Sequence, residues 1–172
     1  TCALPIFTMK AHDQSSYEEY ILGSAEVVGL MCLRVFCDGD DALYQQLKPQ
    51  AMKLGSAFQK INFLRDLNAD FSGMGRMYFP GVDLTRFDHD AKRAIEQDIE
   101  ADFRQGLEGI LKLPRSSRFG VYMAYVYYQA LLRKIMNTPA HRVIETRIRI
   151  RNRHKFRLLF TSFIRHRLNL IG

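Results

Sequence analysis

Four oxygen-bearing side chains recur about one helical turn apart in the middle of the chain: Gln59, Asn62, Asp66 and Asp70. An α-helix advances about 100° per residue, so the four lie within an arc of about 80° on one face. The residues between them are mostly apolar. Carboxylates four residues apart repel each other, so this polar stripe costs helix stability unless a cation lies between them.

Hard oxygen donors with no Cys or His nearby suit Mg²⁺, which takes one or two carboxylates and completes its shell with water and phosphate oxygens. Arg65 adjoins Asp66, and a guanidinium binds phosphate oxygens in pairs. Two acids four residues apart more often belong to a solvated helix face, and this alternative stays open for Asp66 and Asp70 taken alone. The longer pattern Q-x-x-N-x-x-R-D-x-x-x-D is more specific, and it favours a magnesium and phosphate site.

This pattern is followed by a loop, Gly75-Arg76-Met77-Tyr78-Phe79-Pro80, and preceded by a helical segment that contains Tyr20 and Val28-Gly29. With these pieces in this order, the chain resembles the squalene/phytoene synthase family from about Phe7 to Leu170. That family has a second aspartate-rich motif of the same form, followed by a G-R-x-Y-x-P loop. The resemblance implies an all-α fold, the isoprenoid (terpenoid) synthase helix bundle, with a cavity among its helices.

The resemblance also implies roles for the matching residues. The ligands of Mg²⁺, or of Mn²⁺, would be Asn62, Asp66 and Asp70. The substrate diphosphate would be bound by Gln59, Arg65, Arg76 and Tyr78. Tyr20 would lie near the reacting carbons, so the catalytic candidates are Tyr20, Asp66 and Asp70. The dry wall that a carbocation needs is expected from Val27, Val28, Leu30, Met31, Phe58, Phe63 and Tyr125.

The implied activity is that of a prenyltransferase that joins two geranylgeranyl diphosphates head to head to give phytoene, a step of carotenoid biosynthesis. The segments 23–29 and 57–60 resemble bacterial carotenoid-pathway members, which favours this product. Squalene or dehydrosqualene from farnesyl diphosphate is the alternative within the enzyme class, and a non-catalytic assembly factor is the alternative outside it. No G-x-G-x-x-G loop occurs, and NADPH is not expected, although the family does not use such a loop.

The chain departs from the family pattern because it holds one aspartate-rich helix face where the family has two. Asp38, Asp40 and Asp41 form a turn between helices and do not replace the first motif. We expect residues 1–172 to be a single domain, the C-terminal part of a longer synthase domain that is incomplete at its N-terminus. One metal face cannot ionise the substrate in the two-motif way, so we expect the chain alone to be inactive or nearly so.

Apolar residues at intervals of three and four, with the usual start and stop signals, predict the helices that must position these groups. We predict helices over 16–37, over 50–70, over 89–113 and over 116–136. A short helix after Asp41 should be broken or kinked by Pro49. Thr138-Pro139 is a further start signal. The alternating Arg and Ile of residues 146–151 predict an extended linker, and a basic helix should follow over 153–170.

The composition, with 47% hydrophobic and 12% aromatic residues, predicts a packed core. No apolar run reaches about 18 residues, which predicts no transmembrane helix. Three cysteines without metal spacing predict free thiols, with Cys32 and Cys37 buried, in a reducing cytoplasm.

Positive charge is concentrated at the end of the chain: residues 138–172 hold nine of the 25 Lys and Arg and one of the 18 acids. Such a segment could bind nucleic acid, but no recognition motif accompanies it and we expect none to bind. A basic amphipathic helix also suits peripheral contact with an anionic membrane. The expected location is therefore the cytoplasm, with contact at the inner face of the membrane as the alternative.

Overall fold

The computed structural model describes residues 13–74, 78–83 and 86–168, without the side chains of residues 69–74. It contains seven α-helices and one π-helical segment within these ranges, and no β-strand there, so the all-α class is confirmed. The elements are α1 (Gln14–Ile21), a π-helical segment (Leu22–Glu26), α2 (Val27–Phe36), α3 (Asp41–Met74), α4 (His89–Lys112), α5 (Arg115–Met136), α6 (Ala140–Glu145) and α7 (Asn152–Arg167).

The first three helical elements form one continuous rod over residues 14–36, which begins two residues earlier than predicted. Asp13, the N-cap, accepts a hydrogen bond from the Ser16 backbone N–H at 2.8 Å, so a free donor of the first turn is satisfied there. Helix α1 passes without a break into the π-helical segment and then into α2. The rod ends at Phe36, and Asp38 and Gly39 turn the chain with positive φ angles of 46° and 87°.

Helix α3 continues through Pro49, so the predicted break there is wrong, and the helix ends at Met74, four residues beyond the predicted end. A proline inside a helix costs about 3 kcal/mol. Leu47, Leu54 and Ala57 are buried on either side of it. Burial contributes about 1.5–3 kcal/mol for each large apolar side chain, so packing on both sides of Pro49 outweighs the proline.

Helices α4 and α5 follow the predicted bounds to within a residue and pack around α3. Asp88 caps α4 by accepting a hydrogen bond from the Ala91 N–H at 2.8 Å. The side chains that α4 and α5 bury in the core are Ile95, Ile99, Phe103, Ile110, Tyr122, Leu131, Leu132 and Ile135. None of the described helices combines the length and apolar composition that a membrane-spanning segment needs.

In the last part of the chain, buried and exposed side chains alternate in the same way as Ile and Arg alternate in the sequence. Helix α6 starts at Ala140, one residue after Pro139, and residues 147–151 are neither helix nor strand, with extended backbone at Thr146 and Arg151, which agrees with the predicted linker. In this linker Ile148 and Ile150 are buried while the arginines at 147, 149 and 151 are exposed. Helix α7 then begins at Asn152 and ends at Arg167.

Two glycines let helices approach more closely than any other residue would allow. A Cβ at Gly55 in α3 would lie 2.7 Å from the Ala25 carbonyl oxygen, and one at Gly29 in α2 would lie 2.9 Å from the Ala51 carbonyl oxygen. Both obstacles are backbone atoms, so the rod and α3 would have to separate to admit a methyl group. By contrast, a Cβ at Gly120 in α5 meets nothing within 4 Å.

We predict that Gly55→Ala lowers the free energy of unfolding by about 1–3 kcal/mol because of this overlap. The control, Gly120→Ala, should raise it by about 0.5–1 kcal/mol, since alanine restricts the unfolded chain and meets no obstacle. Urea unfolding followed by circular dichroism measures both. Equal effects of the two substitutions would contradict the close approach at Gly55.

Candidate functional site

Three of the four polar-stripe residues can be located, and they lie in successive turns of α3, each half-buried. Gln59 lines a cavity, and Asn62 Oδ1 accepts a hydrogen bond from the Tyr128 hydroxyl on α5 at 3.3 Å. Stacking of Phe58 on Tyr128, with ring centroids 4.2 Å apart, fixes this contact between α3 and α5. The side chain of Asp70 lies outside the described part of the structure, as does Arg76. The three described residues of the stripe are therefore turned towards neighbouring parts of the protein and are partly shielded from solvent.

Asp66 is held by two arginines. Its Oδ2 lies 2.5 Å from Nη2 of Arg65, and its Oδ1 lies 2.7 Å from Nε of Arg147 in the extended linker. The hydrogen bond to Asp66 raises the pKa of Arg65. Both carboxylate oxygens are thus occupied by guanidinium groups. A metal ion or an anion could use this carboxylate or these arginines only by exchanging partners with them.

Arg147 and Tyr128 were not among the predicted site residues. The only sequence signal for Arg147 is the Arg and Ile alternation of the linker, which indicates that its arginines share a side but not what they face. Tyr128 lies among several tyrosines of α5, and no local pattern distinguishes it from the others. Long-range packing brings both to the stripe.

An aromatic cluster joins the predicted catalytic tyrosine to the predicted loop tyrosine. Tyr78 is buried and stacks on Phe63 of α3, with centroids 4.1 Å apart and planes within 9°. Tyr20 lies 5.8 Å from the Tyr78 ring and 5.7 Å from the Phe63 ring, and it remains 38% exposed. Phe63 follows Asn62 directly, so the cluster adjoins the polar stripe. The structure therefore brings Tyr20 and Tyr78 together beside α3.

A cavity of about 630 Å³ opens beside the stripe. One face of α3 forms its long wall, with Leu47, Gln50, Ala51, Leu54, Gly55, Phe58 and Gln59. The span from Gln59 to Leu47 is about 18 Å at 1.5 Å per residue. Of the side chains predicted to line a dry cavity, Val28 and Phe58 do so. Phe63 and Tyr125 are instead engaged in ring contacts with other aromatic residues.

Cys32 also lines this cavity and is exposed, so the prediction that it is buried is wrong, whereas Cys37 is buried as predicted. Both are free thiols. The difference arises because α2 presents Cys32 to the cavity and turns Leu33 and Cys37 into a small core cluster with Leu47 and Leu113. Burial raises the pKa of the Cys37 thiol. The two cysteines therefore differ in reactivity.

A buried ion network fixes α3 against α4. Lys60, next to Gln59, lies 2.7 Å from Asp102 and 2.5 Å from Asp98, and Lys53 lies 3.0 Å from Asp102. The Ser56 hydroxyl donates to Asp102 at 3.0 Å. Burial alone would lower the pKa of Lys60, but the two carboxylates outweigh it and raise that pKa.

Comparison with known protein families identifies the family to which the chain belongs. Residues 7–154 match the family model described as squalene/phytoene synthase. The chain belongs to the squalene/phytoene synthase family. No curated protein matches it significantly. Members of this family are prenyltransferases that condense prenyl diphosphates head to head, and the match covers α1 to α6 together with the linker that carries Arg147.

The donor types of the stripe suit Mg²⁺, the metal expected from the sequence pattern. Asn62 and Asp66 offer amide and carboxylate oxygens one turn apart, which Mg²⁺ accepts. Within the described residues no three Asp, Glu, His or Cys side chains converge as metal ligands would, and two of the four stripe residues are amides. Two acids near the turn between α2 and α3 have partners within the protein: Asp40 accepts a hydrogen bond from the Leu43 N–H at 2.9 Å, and Asp41 pairs with Arg34.

We predict that Arg147→Gln increases the affinity for Mn²⁺, used as a paramagnetic probe, because it releases one oxygen of Asp66. The gain should be about two- to fivefold, which corresponds to the loss of a partly exposed ion pair. Binding is measured by electron paramagnetic resonance. The matched control is Arg149→Gln, an exposed arginine of the same linker without an acidic partner among the described residues, and it should leave the affinity unchanged.

Two results would contradict this account of Asp66. The first is an equal effect of Arg147→Gln and Arg149→Gln, which would indicate a general charge effect. The second is unchanged Mn²⁺ binding by Asp66→Asn, which would show that the carboxylate is not a ligand.

Proposed function

We propose that this chain binds geranylgeranyl diphosphate with its diphosphate at the polar stripe and its prenyl chain in the cavity. The proposed reaction is the head-to-head condensation of two such molecules to phytoene, in carotenoid biosynthesis. One observation carries the proposal: Gln59 belongs both to the polar stripe and to the lining of an apolar cavity. A ligand with a charged end and a long apolar chain is the kind of molecule that matches both parts.

The polar end supplies the groups that a diphosphate requires. Asn62, Asp66 and Asp70 would hold Mg²⁺, which when bound neutralises charge that develops on a departing diphosphate. Arg65 and Arg147, now paired with Asp66, would turn to the diphosphate oxygens, since a guanidinium binds phosphate as readily as carboxylate. Gln59 and Arg76 would complete the binding set.

The aromatic cluster would contact and stabilise the reacting carbon atoms of the substrate. Tyr20 is partly exposed beside Tyr78 and Phe63, so its ring can meet the allylic carbons while the buried Tyr78 covers the site from the loop. Electron-rich ring faces stabilise a neighbouring carbocation. The apolar walls exclude the water that would otherwise quench it.

The cavity favours the longer of the two candidate substrates. Its α3 wall continues for about 18 Å beyond the polar stripe, a length comparable with an extended geranylgeranyl chain. At the far end the lining includes Leu33, Leu47 and Leu113, which belong to a buried core cluster. Farnesyl diphosphate, the substrate for squalene or dehydrosqualene, would leave this end unfilled.

We predict that geranylgeranyl diphosphate with Mg²⁺ slows alkylation of Cys32 by iodoacetamide. The effect should be at least about threefold, because a ligand in a cavity of this size buries most of its surface against the lining. Labelling is followed by mass spectrometry in a Cys2→Ser background, with the buried Cys37 as an internal reference. Inorganic diphosphate should give no protection, since it does not reach the cavity.

Controls separate the parts of this proposal. Asp66→Asn should remove the dependence of protection on Mg²⁺, whereas Asp90→Asn, which changes an exposed carboxylate of α4, should not. Better protection by farnesyl than by geranylgeranyl diphosphate would favour the squalene-type product. No protection by either one would count against substrate binding by this chain and favour an assembly role.

We further predict that the 172-residue chain alone releases little diphosphate from geranylgeranyl diphosphate and Mg²⁺, since it offers one aspartate-rich face. A coupled diphosphate-release assay measures this turnover. Release at the rate of an ordinary enzyme, of order 1 per second or more, would overturn the requirement for a second face.

A further inference from the structure

Helix α7 turns its polar side inward. The residues of α7 that are buried or half-buried are His154, Leu158, Ser162 and His166. They are four residues apart, so they lie within an arc of about 120° on one side of the helix. This side packs on α5, where the Phe119 ring lies 5.2 Å from the His166 ring. Three of the four inward side chains are therefore polar.

The outward side of α7 is apolar and open. The exposed apolar residues of the helix and its C-cap are Phe156, Leu159, Phe160, Phe163, Ile164 and Leu168. Five of them fall within an arc of about 140° that lies roughly opposite the inward side. Phe156 is 70% exposed and Phe160 is 66% exposed. A helix that only packs on its own protein has the reverse arrangement, so another apolar medium is needed to cover this side.

Positive charge surrounds the open side. Residues 146–168 contain eight Lys and Arg and no acid. Among the described residues, Arg147 is the only one of these eight with an acidic partner. Arg153, Arg157 and Arg167 flank the exposed phenylalanines along the helix. The surface of α7 thus combines bulky apolar side chains with unneutralised cations.

This combination distinguishes between the surfaces that could cover α7. A second copy would bring its own eight cations against these, and like charges repel. Nucleic acid would neutralise the arginines but would leave Leu159, Ile164 and Leu168 in water. An anionic bilayer satisfies both features, because acyl chains accept the apolar side chains while headgroups pair with the cations.

We propose that the outward face of α7 docks on an anionic lipid bilayer. The helix lies in the plane of the interface, with Phe156 and Phe160 below the headgroups and the arginines at the level of the phosphates. Helix α5, on which α7 packs, also contributes Ser117, Gly120 and Val121 to the cavity. Docking by α7 therefore brings the bilayer within one helix of the cavity.

The test is sedimentation with vesicles of phosphatidylcholine, alone or mixed equally with phosphatidylglycerol. The chain should bind the mixed vesicles, and bind the neutral ones at least about tenfold more weakly, because each cation near an anionic surface adds to the attraction. Phe156→Ser with Phe160→Ser should reduce binding to mixed vesicles at least about tenfold, since two buried phenylalanine rings are lost. The control, Met31→Ser with Val35→Ser, removes two exposed apolar side chains from α2 and should leave binding unchanged.

A second measurement reports how deeply α7 inserts into the bilayer. The chain has no tryptophan, so Phe160→Trp provides a single reporter whose fluorescence emission should shift to the blue on mixed vesicles. Four outcomes overturn the proposal: equal binding to neutral and mixed vesicles, no vesicle binding, an equal loss in the α2 variant, and reporter emission that vesicles leave unchanged. Self-association that the phenylalanine variant abolishes, or oligonucleotide binding that it leaves intact, without vesicle binding, overturns it in favour of a second copy or nucleic acid.

Discussion

The rotation of α3 about its own axis determines what every other part of the molecule can do, and the buried Lys60–Asp102 pair fixes it. Lys60 projects towards α4, where Asp102 also receives Lys53 and Ser56, so three side chains of α3 converge on one carboxylate. A buried carboxylate without its partners is costly, by about 3–5 kcal/mol, so α3 cannot turn without losing this energy.

With α3 held in this way, the side of the helix turned away from Lys60 is assigned. Its stretch from Leu47 to Gln59 forms the cavity wall, and its stretch through Asn62 and Asp66 faces α5 and the linker. At about 100° per residue the two stretches lie on the same side of α3, and they meet at Gln59. A rotation of α3 would therefore turn both stretches away from the elements they face, and the proposed function depends on their orientation.

What the sequence predicted well was periodic and local. The polar stripe, α4, α5 and the linker each follow from the spacing of residue types within a short segment. The continuation of α3 through Pro49 could not be predicted in this way, because it depends on apolar contacts made by Leu47 and Leu54 with other helices. The Asp66–Arg147 pair joins residues 81 positions apart, and no local pattern encodes such a contact. Cys32 was misjudged for the same reason, since apolar neighbours in sequence do not reveal which side of a helix borders a cavity.

Helix α5 illustrates how one helix can serve two surroundings. Small residues, among them Ser117, Gly120 and Ala124, border the cavity and leave it wide, whereas Phe119 lies on another side and contacts Phe163 of α7. Tyr128, nearer its end, reaches Asn62 of the polar stripe. A Cβ at Gly120 would meet nothing within 4 Å, so the space beside this residue belongs to the cavity that it lines. The small side of α5 is therefore explained by the space it leaves open, and its aromatic residues are explained by the elements they hold in place.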